Sequence, residues 1–572
     1  MEKQSKKRRW LIFAVVFAVI IRIVLQMGIP VMILGDYSVD DKLFVDYAKS
    51  ILESTWLGSY SAYTLNKMPG FGIFLAILKY LNIPYMLGIM LLYCFACCFF
   101  LVVIKKIVNN DVISYLMFVY VLFSPVMLDT QVSQRVYRMS IIPALVLLVV
   151  SSYLAIYVER DKGYKGILPW AVLAGIAYAI FYIIREDAMW FTCFVFGASG
   201  LIICLIFLEN KHKSEWKKKI YSVLCLLIPP VLCIVGVTSL KFINYKNYGV
   251  FTTTDFKDTY YADMGKEILK IKPSEEKEHV WVTRDTIDTL YEISPTFATL
   301  KPELDKLYVY MDSWASGAID GEIEKDYIMW AIRWAADTSG VYQQGATCAN
   351  MFYKQVYDDI LGAFDNGKLE KRDAIILSNL ARPFVFSRDF KPCFEFVGTE
   401  IKGLVGYSFY KSGLAISQGS EDQIREMSEM ISTLPVYEDE YASHYLKNIN
   451  MANRITKVYQ LTGYLIAVIA FLIYVYELAY CIMCCRKKEK ASIADWLVKT
   501  GILLTIFANL LVVSLNYFDA NNKDFASNLY TAGVIPLWNI FVCLCMVTFM
   551  THLNRIITNA KEKKQLREVN LR

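Results

Sequence analysis

Residues 35–70 read GDYSVDDKLFVDYAKSILESTWLGSYSAYTLNKMPG, and the apolar run FGIFLAILKYL follows at 71–81. This run, begun at Gly70, is too short to cross a bilayer, because a membrane-spanning helix needs about 20 apolar residues. Behind the acidic pair Asp40 and Asp41, apolar side chains recur at helical spacing: Leu43, Phe44, Tyr47, Ile51 and Leu52. The stretch therefore predicts a helix on the membrane surface after Asp41, and an interfacial or re-entrant helix at 70–81.

Ten other apolar runs are long enough to span a bilayer. They occupy residues 11–34, 85–104, 112–128, 139–158, 167–184, 189–208, 220–240, 461–484, 496–515 and 529–550. Hydrophobic residues make up 56% of the chain, whereas about 45–50% is usual for a soluble globular domain. The composition excludes a soluble enzyme of this length and predicts an α-helical polytopic membrane protein whose transmembrane helices are these ten runs.

Lysine and arginine cluster in six segments, which fall on one side of the membrane if the ten runs cross it and 70–81 does not. The clusters lie at 3–9, 105–106, 160–165, 211–219, 486–490 and 555–572. By the positive-inside rule that side is the cytoplasm, which predicts a multi-pass plasma-membrane protein with both termini cytoplasmic. No N-x-Ser/Thr sequon is present, which agrees with a bacterial membrane. The net charge of +6 reflects loop asymmetry and does not indicate a nucleic-acid partner.

The spans divide the chain into four parts. We predict a transmembrane module at 1–244, an extracytoplasmic domain at 245–460, three C-terminal transmembrane helices at 461–555 and a basic cytoplasmic tail at 556–572. Apolar residues at three- and four-residue spacing predict that the domain is mainly α, with helices at 323–336, 351–364, 424–431 and 441–453. Short extended runs are predicted at 280–282 and 384–386.

Several single residues allow two interpretations. Trp330 and Trp334 share a helical face, which is typical of core packing more often than of sugar stacking. Cys348 and Cys393, the two cysteines of the extracytoplasmic domain, form a disulfide or remain free thiols. Arg22, in the first span, is a functional candidate or the partner of a buried acid, because charge in hydrocarbon is costly.

Two further outside loops carry arginines on the side where the positive-inside rule disfavours them. The residues are Arg135, Tyr137 and Arg138 before the fourth span, and Arg185, Glu186 and Asp187 before the sixth. Each loop has an ordinary explanation by itself, since Asp40 and Asp41 suit a helix N-terminus and Arg185 can pair locally. Together, the three loops supply acids and arginines for taking a proton while neutralising a phosphate.

The first outside loop resembles the membrane glycosyltransferases of the GT-C type, which include the protein O-mannosyltransferases and the aminoarabinose transferases. The family pattern is an acidic pair, an aromatic residue three positions on, an alanine four later, and a lysine–proline before an apolar surface helix. The matching residues here are Asp40, Asp41, Phe44, Ala48, Lys67 and Pro69, with Met68 inserted between the last two. The run Arg185-Glu186-Asp187 resembles a second element of the family, and the resemblance covers residues 1–240.

The resemblance implies a transferase that takes a sugar from a polyprenyl-phosphate donor at the outer membrane face. The acceptor would be a glycan, lipid or protein of the cell envelope. A hydroxyl acceptor needs a carboxylate to take its proton, and the leaving lipid phosphate needs cations to stabilise its charge.

The same resemblance assigns roles to individual residues. Asp40 would be the catalytic base, and Asp41 would orient the site or contact a divalent metal such as Mg²⁺ or Mn²⁺. The donor phosphate would be bound by Lys67, Arg135, Arg138 and Arg185. Supporting residues would be Asp36, Tyr137, Glu186 and Asp187.

Two other classes of protein remain open. A transporter or flippase of lipid-linked glycans would carry internal repeats or matching helix breaks, whereas Pro229-Pro230 interrupts a span without a counterpart. A non-enzymatic envelope-assembly protein would leave the acids and arginines of the three loops without a shared task. The four histidines are scattered, which argues against a zinc site built on histidine and cysteine.

Overall fold

The computed structural model describes residues 2–108, 110–209, 216–311, 321–437, 439–486, 493–520 and 523–570. Within these ranges, nine helices have the length and the apolar composition to cross a membrane. They are Arg9–Met27, Tyr85–Ile107, Arg138–Lys162, Tyr164–Ile184, Met189–Leu208, Trp216–Tyr248, Ser443–Cys484, Ala494–Tyr517 and Ala532–Arg555. The same ranges contain isolated β-bridges but no β-strand. The predicted α-helical polytopic membrane fold is confirmed.

The first part of the chain forms the helices α1 to α10. Their bounds are α1 Glu2–Met27, α2 Asp41–Leu52, α3 Gly70–Tyr80, α4 Tyr85–Ile107, α5 Asp111–Leu122, α6 Ile142–Glu159, α7 Tyr164–Ile184, α8 Met189–Glu209, α9 Trp216–Leu226 and α10 Ile228–Tyr248. The central helix is α6, which packs against α4 and α7 and is buried over nearly its whole length.

The predicted span at 112–128 is wrong as a single helix. α5 ends at Leu122, and a 3₁₀ turn follows at Pro125–Leu128. Proline has no N–H with which to continue the α-helical hydrogen bonds, so the helix breaks before it.

Arg22 occupies this break. Its side chain is fully buried and donates from Nε to the carbonyl oxygen of Leu122 at 3.2 Å and from Nη2 to that of Met127 at 2.7 Å. Gln26 accepts a third hydrogen bond at 2.7 Å. Backbone carbonyl groups in a membrane must find donors within the protein. Arg22 therefore stabilises a helix break, and it pairs with no acid among the described residues.

The structure has helices at both predicted places, α2 and α3, and two glycines let α3 approach its neighbours. A Cβ at Gly70 would lie 2.6 Å from the carbonyl oxygen of Ile183, at the end of α7, and a Cβ at Gly72 would lie 2.8 Å from the Cβ of Tyr47 in α2. Only glycine fits where the backbone lies this close to another element. The start of α3 is thereby held beside the loop that follows α7.

Residues 249–437, here called the inserted domain, contain eight described helices. They are α11 Tyr260–Lys270, α12 Arg284–Ile293, α13 Pro295–Ala298, α14 Lys301–Met311, α15 Tyr327–Thr338, α16 Ala346–Asp365, α17 Phe386–Gly406 and α18 Glu421–Ile431. The helices predicted at 323–336, 351–364 and 424–431 are confirmed as α15, α16 and α18.

The predicted extended runs of this domain are wrong. Residues 280–282 form no strand, because their apolar side chains fill the helical core of the domain. Phe384 makes one isolated bridge, with Ile375.

Two open questions about side chains of the inserted domain are settled by burial. Trp330 lies in its hydrophobic core and Trp334 packs against that core, which confirms the packing interpretation. Cys348 is exposed, Cys393 is buried, and both are free thiols.

The last part of the chain forms α19 Asp439–Arg486, α20 Ala494–Tyr517, α21 Lys523–Tyr530 and α22 Ile535–Asn570. α19 is one helix of 48 residues, so the helix predicted at 441–453 and the span predicted at 461–484 are a single element. α22 packs against α5, α6 and α19, which joins both groups of membrane helices in one bundle.

Candidate functional site

Asp40 lies directly before α2, where a helix cap would be, but its side chain makes no capping hydrogen bond. Its Oδ1 is instead 3.0 Å from Nζ of Lys67, and the hydroxyl of Tyr137 donates to the same oxygen at 3.5 Å. The Asp40 side chain is 29% exposed. The helix-cap explanation therefore fails for Asp40, whose carboxylate lies open to solvent beside a cation.

Asp41, the next residue, is fully buried and binds Arg135 from 94 positions further along the chain. Nε of Arg135 donates to both carboxylate oxygens, at 2.9 and 3.0 Å, and Nη2 donates to Oδ2 at 2.5 Å. The guanidinium also packs against the ring of Tyr137, 4.5 Å from its centre. Asp41 is thus placed to orient Arg135, and Arg135 is committed to Asp41 before it could bind a phosphate.

The other two arginines of the cluster each have an acidic partner in the loop after α7. Arg138 pairs with Glu186, and Arg185 forms a two-pronged pair with Asp187. The sequence allowed Arg185 to pair with a neighbouring acid, and the structure shows this pair. Arg138 keeps a spare donor, since its buried Nε has no hydrogen-bond partner among the described residues.

Glu186 also explains the residue inserted between Lys67 and Pro69. The backbone N–H of Met68 donates to Glu186 Oε1 at 2.9 Å, while Oε2 pairs with Arg138. One carboxylate thereby ties the chain beside Lys67 to the loop after α7. The insertion supplies this hydrogen bond and leaves Lys67 within reach of Asp40.

Aromatic residues from distant helices complete the cluster. The Tyr530 ring lies under Arg185, with 5.5 Å between Cζ and the ring centre, and Tyr517 stacks on Tyr530 at 4.7 Å. The Trp330 ring centre is 5.8 Å from Nζ of Lys67. Sequence reasoning missed the two tyrosines and the contact of Trp330 with the site. No motif or spacing marks them, because only folding brings α15, α20 and α21 to this place.

Burial and charge set the protonation of this site. Although burial opposes ionisation, Lys67 and Arg135 hold the pKa of Asp40 below its usual value. Burial raises the pKa of Tyr137 and of Tyr530 to about 12, so both hydroxyls remain donors at neutral pH. Asp40 is therefore a carboxylate in the resting site, but a weakly basic one.

Two other predictions concern Asp36 as a supporting residue and a metal at Asp41. Asp36 is exposed, and within the described ranges no ion pair includes it. The structure therefore does not bring Asp36 into contact with the charged residues of the cluster. Both oxygens of Asp41 accept hydrogen bonds from Arg135, so a divalent metal would bind Asp41 in competition with that guanidinium. In the described part of the chain no three His, Cys, Asp or Glu side chains are grouped as metal ligands.

Comparison with known proteins gives few matches. No family model matches the chain, and no curated protein matches it. Two solved structures that resemble it are both of ArnT from Cupriavidus metallidurans. The apo structure has a TM-score of 0.30 at 11% identity, over 94% of this chain and 78% of that one. The structure bound to undecaprenyl phosphate has a TM-score of 0.30 at 9% identity, over 93% and 77%.

Proposed function

We propose that this protein is a glycosyltransferase that moves a sugar from a polyprenyl-phosphate donor to an acceptor at the outer face of the plasma membrane. The observation that carries the proposal is the setting of Asp40. It is a solvent-accessible carboxylate that caps no helix, and it lies 3.0 Å from a lysine in a cluster that also holds Arg138 and Arg185. Base and phosphate binders are the two functions that transfer from a lipid phosphate requires.

The donor phosphate would enter beside Lys67, Arg138 and Arg185. Lys67 and Arg138 lie shortly before α3 and α6, and Arg185 lies directly after α7. The headgroup of a membrane lipid would lie at this level. The unpartnered Nε of Arg138 can donate to a phosphate oxygen without giving up Glu186. Charge-assisted hydrogen bonds of this kind are about twice as strong as neutral ones.

Donor binding would also activate Asp40. In the resting site Lys67 is the largest of the interactions that lower the pKa of Asp40. A phosphate that draws Nζ of Lys67 away would make Asp40 more basic, and a base works best when its pKa is near the working pH. The acceptor would then lose its proton to Asp40 only after the donor is in place.

The orientation of the chain is a first prediction. We expect the inserted domain outside and both termini in the cytoplasm, because six basic clusters share one side. Single cysteines at Ser274, which is exposed, and at Ser492, between α19 and α20 and outside the described residues, test it in intact cells. In a background whose native cysteines, including the exposed Cys348, are replaced by serine, an impermeant thiol reagent should label Ser274→Cys and leave Ser492→Cys unlabelled. Labelling of Ser492→Cys alone would mean the opposite orientation.

Substitution of Arg185 is a second prediction. The fork of Arg185 binds Asp187 in the resting site, so a phosphate would have to displace Asp187 from it. Arg185→Lys should still pair with Asp187 as a point charge, but lysine lacks the planar fork that would bind the phosphate through two hydrogen bonds. We expect the KM for the donor to rise about tenfold, with the yield of folded protein close to wild type. Arg382→Lys is a matched control, since Arg382 also pairs with an aspartate, Asp519, at 2.8 Å, and its described contacts are with Asp519, Asp389 and the ring of Phe518. An equal rise in both variants would exclude a specific role of Arg185.

The reaction itself can be tested with purified protein in liposomes that contain polyprenyl phosphate carrying a radiolabelled sugar, with a membrane extract as acceptor. A transferase cleaves the sugar from the lipid, and the label moves to another molecule. A flippase would leave the donor intact and change only its leaflet, and an assembly protein would do neither. The assay is repeated with several sugars on the lipid, and its outcome separates the three classes.

A further inference from the structure

Arg333 lies in α15 of the inserted domain and contacts the first outside loop. It is 0% exposed. Its Nε donates to the carbonyl oxygen of Ala62 at 2.6 Å, and Nη2 donates to that of Thr64 at 2.9 Å and to Asp255 at 2.8 Å. One guanidinium thus binds two backbone oxygens and one carboxylate in a fixed geometry, as only arginine can.

Asp255 binds the same loop a second time. Its backbone N–H donates to the carbonyl oxygen of Leu65 at 2.9 Å, and its Oδ2 accepts from the hydroxyl of Tyr60 at 3.2 Å. The Arg333 guanidinium is enclosed by aromatic rings, with that of Tyr342 centred 4.9 Å from Cζ. Residues 60–65 are therefore fixed to the inserted domain at four points.

The fixed segment ends two residues before Lys67. The Lys67 side chain extends from there over the ring of Trp330, which precedes Arg333 by three residues on α15, and reaches Asp40 at 3.0 Å. Residues three apart lie on the same face of a helix. One face of α15 therefore contacts both the backbone before Lys67 and its ammonium group.

We propose that Arg333 is a positioning residue that holds residues 62–65 so that Lys67 reaches Asp40 and, on the proposed function, the donor phosphate. The inserted domain is then part of the donor site and not a separate acceptor-binding module. A role confined to the core of the domain would not require bonds to Ala62 and Thr64, which belong to the first loop.

The test compares Arg333→Lys with Arg372→Lys. Arg372 is also a buried arginine of the inserted domain, 6% exposed, and it donates to a carbonyl oxygen, that of Trp281, at 3.1 Å, but it does not contact residues 60–67. The first measurement is acetylation of Lys67 by an impermeant amine reagent in the purified full chain, followed by mass spectrometry. We expect Lys67 to be acetylated several-fold faster in Arg333→Lys than in the wild type. In Arg372→Lys it should be acetylated at the wild-type rate.

The second measurement is donor use. Arg333→Lys should raise the donor KM about tenfold. In a Lys67→Met background the Arg333 substitution should have no further effect on the KM, because the effects of residues that act through one group are non-additive.

If Arg333→Lys folds poorly, Tyr60→Phe removes one hydroxyl of the same network without removing charge, and it should also accelerate the labelling of Lys67. Unchanged Lys67 labelling in the folded variants would overturn the proposal. Absence of transfer by the wild type would overturn the proposed function alone, because the labelling result does not depend on activity.

Discussion

Asp40→Asn is expected to lower sugar transfer by about 10²–10⁴-fold, the range that a general base contributes, with little change in folded protein. The amide keeps the shape of the carboxyl group but cannot accept the proton of an attacking hydroxyl. Asp40 makes no capping bond and is partly exposed, so the fold does not depend on its charge. Initial rates of transfer and binding of labelled polyprenyl phosphate should be measured on the same preparation.

The matched control is Asp46→Asn. Asp46 lies on the same helix, α2, and pairs with Lys42 at 2.7 Å, but it is 41% exposed and is not in contact with the cluster. We expect that variant to transfer at close to the wild-type rate. If Asp40→Asn kept more than about a tenth of the activity, Asp40 would not be the base. If it lost donor binding as well, its main role would be to hold Lys67.

Arg135→Met is expected to destabilise the protein by roughly 3–5 kcal/mol, the usual cost of leaving one charge of a buried pair uncompensated. Burial raises the pKa of Asp41 to about 6 even beside Arg135, so the carboxyl depends on that guanidinium for its ionisation. Asp41→Asn should cause a loss in the same direction, because it leaves the buried Arg135 only the longer contact with Asp40, 3.8 Å between Nη2 and Oδ2, as a counter-charge. Thermal unfolding in detergent, followed by tryptophan fluorescence, measures both.

The double variant Asp41→Leu/Arg135→Met distinguishes a structural pair from a catalytic one. Replacement of both charges by apolar groups is often nearly neutral, so we expect the double variant to unfold at a higher temperature than Arg135→Met alone. If Asp41→Asn folded as well as wild type and lost only transfer, Asp41 would act in the reaction itself, and its assignment to Arg135 would be wrong.

Local pattern predicted the elements around the site. Helical spacing after Asp41 gave α2, and the short apolar run gave α3, because periodicity depends only on neighbouring residues. The same reasoning failed at 112–128, where an apolar run hides the break before Pro125. Pro125 itself signals the break, but a criterion based on the length of an apolar run takes no account of it.

The sequence singled out most of the charged residues of the cluster but neither their partners nor Tyr517 and Tyr530. Adjacency gave Asp40 and Asp41, yet their different fates depend on which one faces Arg135, 94 positions away. The bond from Met68 to Glu186 and the fork of Arg333 on Ala62 and Thr64 join segments more than a hundred positions apart. Such contacts are set by packing, and no single-sequence pattern carries them.

The most direct measurement is a structure of the protein with polyprenyl phosphate bound. We expect the phosphate within hydrogen-bond distance of Lys67 and of Arg138 or Arg185, with Nζ of Lys67 moved away from the Asp40 carboxylate that it contacts at 3.0 Å in the resting site. A phosphate bound elsewhere on the protein would contradict the assignment of this cluster as a donor site. A phosphate bound here with the Lys67–Asp40 pair intact would contradict the activation of Asp40 by the donor.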